Sequence, residues 1–184
     1  MAEYYFVSQL PSLDGIGENA PLPITAEHFT QLCGRFLEKK AQAEIKKLSL
    51  MPPLNFEGSN SELIGAWNDS ERSLRLALAK VRAEKMKKHF DTHGVDLPLD
   101  YIKTATAATE IDDPLEAEKF LNRYRLGILE ALRPIDTFST EYIFYYGIKL
   151  MLLSHIRQYN IQSGEEAYRK IYNSILDGDR LEAI

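Results

Sequence analysis

The sequence predicts an all-α protein, a helical bundle of about five to six helices with a short extended N-terminal arm. Apolar residues recur at helical spacing along most of the chain, and Pro and Gly mark the breaks between these segments. The most apolar stretch, residues 139–160, is apolar around most of its circumference, which is typical of a central helix. With 184 residues, we expect a single helical domain spanning residues 1–184.

The N-terminal arm comprises residues 1–24. The segment from Tyr4 to Leu10 is rich in aromatic residues and is followed by Pro and Gly, which favours a short strand or an extended segment. Because a single strand is marginal alone, the segment either pairs with another chain or, as we favour, lies extended across the helices. Two prolines, Pro21 and Pro23, keep the end of the arm extended.

Two helices are predicted next. Thr25 is a suitable N-cap for the first, and the buried face of that helix follows the i, i+3, i+4, i+7 pattern. That face consists of Phe29, Leu32, Cys33, Phe36 and Leu37. We interpret Cys33 as a buried structural cysteine rather than a reactive thiol. Residues 41–48 form a second short helix, which Pro52 and Pro53 end.

A long helix is predicted over roughly residues 60–90, with Ser59 and Glu62 as its capping box. Part of this helix, residues 69–88, is the most basic segment of the chain. Such a run is usually a solvated helix face. Arg75 and Arg82 are seven residues apart and lie close to the apolar stripe, so they suit ion pairs better than phosphate contacts.

The rest of the chain contains three further segments. Residues 94–112 include a weakly helical, Ala- and Thr-rich connection with few large apolar residues, and this segment is the candidate hinge. Asp113, Pro114 and Glu116 then match the N-cap, N1 and N3 positions of a new helix. After the central helix, a last helix is predicted from a capping box at Ser163 to Gly178.

Composition excludes several functional classes. A net charge of -5 and a pI near 5.5 argue against general nucleic-acid or anionic-membrane binding. One cysteine, Cys33, excludes an internal disulfide framework and a multi-cysteine zinc site. With four scattered histidines and no phosphate-cradling Gly loop, we expect no enzyme activity, no metal and no cofactor. The N-terminus lacks the features of a signal peptide, so a cytoplasmic protein is expected.

Five stretches occur in an order that is typical of one family. They are YYFVSQLPSL, PLPITAEHFTQLC, WNDSERSLRLALAKVRAEKM, DPLEAEKFLNRYRLGILEAL and FSTEYIFYYGIKLMLLSHI. In this order the chain resembles an uncharacterised family encoded in the V-type ATPase operons of several bacterial lineages. That family in turn resembles the C subunit of the V-type ATPase (d in eukaryotes), an all-helical protein that joins the membrane rotor ring to the central shaft.

The resemblance implies a non-catalytic structural or assembly component of a bacterial V-type ATPase. Its partners would be the shaft and rotor-ring subunits, and it would lie in the cytoplasm, peripheral to the inner membrane through protein contacts alone. The positions that match the family pattern are Trp67, Arg75, Arg82, Pro114, Leu115, Glu116, Glu118, Tyr145, Lys149 and Leu150. We interpret most of them as structural.

Two interpretations follow for the charged members of this set. Arg75 and Arg82 are expected to meet Glu116 or Glu118 and so to clamp two helices together. Lys149, a charge within the most apolar helix, is expected either to be paired or to lie at an interface.

The alternative function is a freestanding helical binding module that uses the basic helix 69–88 to engage an acidic partner or nucleic acid. It predicts binding that weakens steeply with salt and is lost when Arg72 and Arg82 are reversed in charge.

Overall fold

The computed structural model describes residues 2–16, 20–52, 59–90, 95–158, 168–169 and 171–173. Within these ranges the chain has no strand, and its all-α fold is confirmed. Seven helices are defined: α1 Ala2–Gln9, α2 Ala26–Phe36, α3 Lys39–Lys47, α4 Glu62–Lys85, α5 Leu99–Glu110, α6 Pro114–Ala131 and α7 Thr140–Gln158.

The N-terminal segment corrects one prediction, because residues 2–9 are helical and not extended. Phe6 is completely buried, and its ring stacks on Phe29 and Phe36 of α2 at centroid distances of 6.3 and 5.7 Å. The segment therefore packs on the helices as expected, but as a helix. Aromatic residues favour strands only where a sheet surface is available to receive them, and here the available surface is another helix.

Helices α2, α3 and α6 begin close to the predicted positions, and two of the predicted caps are present. The Thr25 hydroxyl accepts a hydrogen bond from the backbone N–H of His28, and the Asp113 carboxylate accepts one from that of Leu115. Pro114 occupies the first turn of α6, where its missing N–H costs nothing.

The long helix α4 is shorter than predicted at both ends. Its N-cap is Ser61, whose hydroxyl accepts a hydrogen bond from the N–H of Ile64, while Ser59 accepts one from the N–H of Ser61 in the turn before it. At the other end the helix stops at Lys85, and Lys87 adopts a left-handed conformation with φ of 54°. That conformation cannot continue a right-handed helix.

The connection predicted to be weakly helical contains a regular helix, α5, over residues 99–110, and the hinge role of residues 94–112 stays a prediction. The buried residues of α5 are the small side chains Thr104, Ala105 and Ala108, which pack mainly on α4 and α6. A low apolar content therefore does not indicate a loose segment here, since small residues allow helix backbones to approach closely.

Two apolar clusters lie along α4. The first surrounds α7, which contacts α2, α3, α4 and α6, and it includes α1 and the first half of α4. Its largest fully buried members include Trp67, Tyr145, Phe6, Ile64 and Ile148. The second lies between the rest of α4, α5 and α6, and its members include Leu74, Leu78, Val81, Ala105 and Leu121. Burial of each large apolar side chain contributes about 1.5 to 3 kcal/mol.

The central position predicted for α7 is confirmed, since ten of its residues are buried. The predicted last helix, residues 163–178, lies largely outside the described residues; residues 168–169 and 171–173 within it are helical. Among the described helices, none combines the length and the hydropathy that a membrane span requires.

Candidate functional site

The carboxylate of Glu71 lies in the interior with only 2% of its side chain exposed. Its Oε1 accepts a hydrogen bond from Nε of Arg75 on the same helix at 2.8 Å. Arg125 of α6 binds it in a bidentate manner, with Nε 3.0 Å from Oε2 and an Nη 3.2 Å from Oε1. Bidentate arginine–carboxylate pairs are strong and directional. Glu71 therefore joins α4 firmly to α6.

The same guanidinium extends the network toward α7. Arg125 donates to Oε1 of Glu118 at 3.1 Å and to the side-chain oxygen of Asn122 at 3.0 Å. Nε2 of His155 on α7 lies 3.8 Å from the same Glu118 oxygen. We call these residues, together with Glu71 and Arg75, the Glu71 network.

An ion pair does join the long helix to α6, but it is formed by residues other than the predicted ones. The buried acid, Glu71, belongs to the long helix, and the arginine that crosses to it, Arg125, belongs to α6. Arg75 contacts Glu118 only indirectly, through these two residues. The predicted contact of Arg75 with Glu116 or Glu118 is therefore not formed.

The remaining predicted residues of this group lie apart from the network. Arg72 pairs with Asp69 at 3.2 Å, and Glu116 pairs with Lys119 at 2.8 Å, each within its own helix and in contact with solvent. Exposed Arg82 makes no ion pair with any described residue. Neither Arg82 nor Glu116 takes the clamping role predicted for it, because both side chains lie on the solvent-facing side of their helices.

Lys149 was expected either to be paired or to lie at an interface, and the structure shows it paired. Its side chain is 8% exposed, and Nζ donates to Oδ1 of Asp14 at 2.5 Å, to Oε1 of Glu130 at 2.6 Å and to the hydroxyl of Tyr145 at 3.2 Å. These contacts tie the loop after α1 and the end of α6 to α7. We call this group the Lys149 cluster.

Hydrogen bonds within the Lys149 cluster favour the charged forms of Asp14, Glu130 and Lys149. The hydrogen bond from Lys149 is the main cause that lowers the pKa of Asp14. Partial burial alone would raise the pKa of Glu130, but hydrogen bonds from Lys149 and Tyr145 outweigh it and hold that pKa below its usual value. Burial opposes the charge of Lys149 as well, yet its acceptors raise the pKa of Lys149. Burial also raises the pKa of Tyr145 to about 12.

Sequence reasoning missed most partners in these two groups. For Glu71 a signal existed, because it follows Trp67 by four residues and precedes Leu74 by three, the spacing of the buried face. No such signal exists for Asp14, which lies 135 residues from Lys149 in the sequence. A loop residue can be brought to a distant helix only by the fold as a whole.

A surface groove opens where the end of α4 meets the α5–α6 junction. Its volume is about 580 Å³. Leu78 and Leu121, both buried members of the second apolar cluster, contribute to its floor, and Met86, which is 60% exposed, lies on its wall. The charged side chains that line it are Arg82, Lys85 and Glu118. We call this feature the α4–α6 groove.

A second exposed region lies on α1, near the N-terminus, and on the loop before α7. Tyr4, which is 61% exposed, stacks on Phe138 in the loop before α7 with 4.4 Å between ring centroids. Tyr5, the next residue of α1, packs edge-on against Phe36 of α2 with 5.6 Å between ring centroids. We call the stacked and exposed pair of Tyr4 and Phe138 the aromatic surface. Exposed apolar groups that lie together, unlike scattered ones, are typical of interaction sites.

The described residues contain no group of three or more His, Cys, Asp or Glu side chains that could hold a metal ion. Cys33 is buried, and its burial raises the pKa of its thiol to about 12, which keeps it protonated and unreactive near neutral pH. The features of the described residues that bear on function are thus the Glu71 network, the Lys149 cluster, the aromatic surface and the α4–α6 groove.

Comparison with known proteins gives one match. A family described as a protein of unknown function (DUF2764) matches residues 92–179, just under half of the chain. This region contains α5, α6 and α7 and therefore Arg125, Glu130 and Lys149. No curated protein and no solved structure is significantly similar to the chain.

Proposed function

We propose that the protein is a non-catalytic structural or assembly component of a bacterial V-type ATPase, in contact with the subunits of the central shaft and the rotor ring. It acts as a rigid helical scaffold that presents a fixed surface to these subunits. The proposal starts from the resemblance of the five ordered sequence stretches to proteins encoded in V-type ATPase operons.

Rigidity of the scaffold supports the proposal. A part that lies between a rotating ring and a shaft must carry load without deforming, and helix contacts made by buried charges resist sliding because each displaced charge would lose its partner. The Glu71 network joins α4 to α6, and the Lys149 cluster joins α6 and the loop after α1 to α7. The buried charged side chains Glu71 and Lys149 are thus both used to hold helices together.

The observation that carries the proposal is the aromatic surface. Tyr4 and Phe138 stack on each other and yet remain exposed, while other aromatic side chains, such as Phe6 and Phe29, are buried in the first apolar cluster. Aromatic residues are enriched in the cores of protein–protein interfaces. A permanent or transient partner subunit would cover them.

A pull-down from native membranes tests the proposal. The tagged chain is recovered at low and moderate salt, and bound proteins are quantified by mass spectrometry. We expect shaft and ring subunits in near-stoichiometric amounts. The amounts should be the same at both salt concentrations, because an apolar interface is largely insensitive to salt.

Matched variants locate the contact. The double variant Tyr4→Ser and Phe138→Ser should release the ATPase subunits, whereas Leu99→Ser, which changes an equally exposed apolar residue on α5, should retain them. Absence of the shaft and ring subunits at both salt concentrations would remove the basis of the proposal.

The alternative function, a freestanding binding module that uses the basic helix 69–88, keeps one supporting observation. Four cations near the end of α4 are exposed: Arg82, Lys85, Lys87 and Lys88. Arg72 and Arg75, by contrast, are held in ion pairs within α4. Binding of nucleic acid through this helix should weaken steeply with salt and be lost when Arg72 and Arg82 are changed together to Glu.

A further inference from the structure

We infer that the α4–α6 groove is a docking site for an acidic amphipathic helix of a partner protein, separate from the aromatic surface. The inference rests on the proposed function in one respect, since both take the protein to act by binding other proteins. It is argued from the apolar lining of the groove, from the charged side chains at its rim and from the hydrogen bonds that its polar groups already make.

The apolar part of the groove continues the second core to the surface. Leu78 and Leu121 are each 5% exposed, and the groove gives access to their outer edges, while Met86 and Ile111 extend the apolar wall outward. Methionine adapts its shape to different partners. Apolar side chains one helical turn apart, at i and i+3 or i+4, are the kind of anchors that such a groove accepts.

Charge at the rim is unbalanced in favour of cations. Arg82 forms no ion pair with a described residue, and the ammonium group of Lys85 donates to the backbone carbonyl of Thr109, which leaves its charge without a carboxylate partner in the described chain. Glu118, the acid that lines the groove, is already bound by Arg125 at 3.1 Å. Among the side chains that line the groove, the charge without an internal partner is therefore positive, and a ligand whose carboxylates reach Arg82 and Lys85 is complementary to it.

Apart from its charged side chains, the lining contains one polar side chain, that of Thr109, and its hydroxyl is already hydrogen-bonded. Small-molecule sites contain a few convergent polar groups with free hydrogen-bonding capacity. In this groove the Thr109 hydroxyl donates to the carbonyl of Thr106, and the Thr109 carbonyl accepts from Lys85. An apolar floor with a charged rim fits the two faces of an amphipathic helix better than it fits a compact polar metabolite.

The test uses a synthetic amphipathic helix of about 14 residues, roughly four turns, with Leu on one face and Glu on the other. Its matched control has Lys in place of Glu. Each peptide is titrated into the isotopically labelled full chain, and amide chemical shifts are followed by NMR. We expect the Glu peptide to shift the amides of Met86, Thr109, Ile111 and Ala117, and the Lys peptide to bind at least about tenfold more weakly.

Two variants and one control define the site. Arg82→Glu should weaken the Glu peptide by about tenfold, and Ala117→Phe should block the groove by filling it. Arg72→Glu makes the same charge change on the same helix outside the groove and should alter the affinity less than about twofold. Thermal unfolding of each variant shows whether the fold is kept.

Several results would overturn the inference. Equal binding of the Glu and Lys peptides, equal effects of Arg82→Glu and Arg72→Glu, or shifts centred on Tyr4 and Phe138 would each do so. A single-stranded oligonucleotide that displaces the peptide would identify a phosphate site, and concentration-dependent shifts of the free chain at the groove would identify a second copy as the occupant. Peptide binding in a chain that recovers no ATPase subunits would contradict the proposed function alone.

Discussion

At the scale of single residues, Glu71 and Lys149 show how charge is used inside this bundle. Each lies on the inner face of a helix and reaches partners on other elements, Arg125 for the first and Asp14 and Glu130 for the second. A buried charge without its partner is strongly unfavourable, so each group specifies one arrangement of its helices. We expect the two groups to respond differently to substitution, because Glu71 is deeply buried while the carboxylates around Lys149 keep contact with water.

In the Glu71 network, Glu71→Gln should lower the free energy of unfolding by about 3 kcal/mol. The reason is that Nε and one Nη of Arg125, which bind the Glu71 carboxylate, would lose their counter-charge in the interior. Glu116→Gln makes the same change in an exposed pair with Lys119 and should cost less than about 0.5 kcal/mol. Urea denaturation of both variants measures the two values. A cost for Glu71→Gln as small as that of the control would contradict the clamping role.

Gly147 marks the closest approach of neighbouring elements to α7. A Cβ atom at this position would lie 2.8 Å from Cδ1 of Leu48 and 3.0 Å from Cε1 of Phe29. Gly147→Ala should therefore destabilise the protein by about 1 to 2 kcal/mol through overpacking, although Ala favours helices.

The matched control is Gly127→Ala on α6, where nothing lies within 4 Å of an added Cβ. This variant should be neutral or stabilising by up to about 1 kcal/mol. Thermal unfolding distinguishes the two cases, and a stabilising Gly147→Ala would show that the contacts with Leu48 and Phe29 relax without cost.

At the scale of elements, α5 has the least obvious reason to be ordered, since its buried residues are small. Ala105 is completely buried and Ala108 nearly so, which lets α5 lie close to α4. Ala105→Leu should force the two helices apart and cost about 1 to 3 kcal/mol. Ala107→Leu, two residues along on a partly exposed position, should have little effect. Equal responses of the two variants in urea denaturation would contradict the close packing.

Helix ends and helix interiors differ in how well the sequence predicts them. The caps at Thr25 and Asp113 were predictable because capping is local chemistry between neighbouring residues. The helical state of α1 and the order of α5 were not, since both depend on surfaces supplied by distant helices, such as that of Phe29 and Phe36 for Phe6. The candidate site follows the same division: Arg82 was identifiable as a cation, but its place in a groove required the meeting of α4, α5 and α6.

At the scale of the whole molecule, the Lys149 cluster should make stability depend on pH. Asp14 and Glu130 have lower pKa values in the folded state, so their contribution is present above the unfolded-state values near 4 and is lost as the pH falls through the folded-state values. The raised pKa of Lys149 has the opposite sign, and its contribution is full below about pH 10 and is lost at higher pH.

Lys149→Met tests this dependence. It should lower the free energy of unfolding at pH 7 by about 1 to 2 kcal/mol, less than for a fully buried pair, because both carboxylates are partly hydrated. The loss of stability between pH 7 and pH 3 should also be smaller in the variant than in the wild type by about 1 kcal/mol. The control Lys47→Met should change the pH profile less than Lys149→Met does, since the Ser59 hydroxyl, and not Lys47, is the main cause of the lowered pKa of Glu44. Identical pH profiles for wild type and Lys149→Met would show that Lys149 does not lower the pKa values of Asp14 and Glu130.

The aromatic surface and the α4–α6 groove are the two surfaces that we propose to bind partners. The aromatic surface includes α1 and the loop before α7, and the α4–α6 groove lies where α4, α5 and α6 meet. They draw on different elements and differ in chemistry, one aromatic and one apolar with a cationic rim. A chain with two such surfaces can hold two partners, or two segments of one partner, in a fixed relation.

The most direct test of the proposed role is purification of the rotary ATPase itself. A tag on a catalytic-head subunit recovers the complex from native cells, and this chain is quantified per complex by mass spectrometry. We expect a fixed stoichiometry that falls when Tyr4 and Phe138 are both changed to Ser. An intact ATPase recovered without this chain, from cells that express it and at every stage of assembly, would contradict a role as subunit or assembly factor.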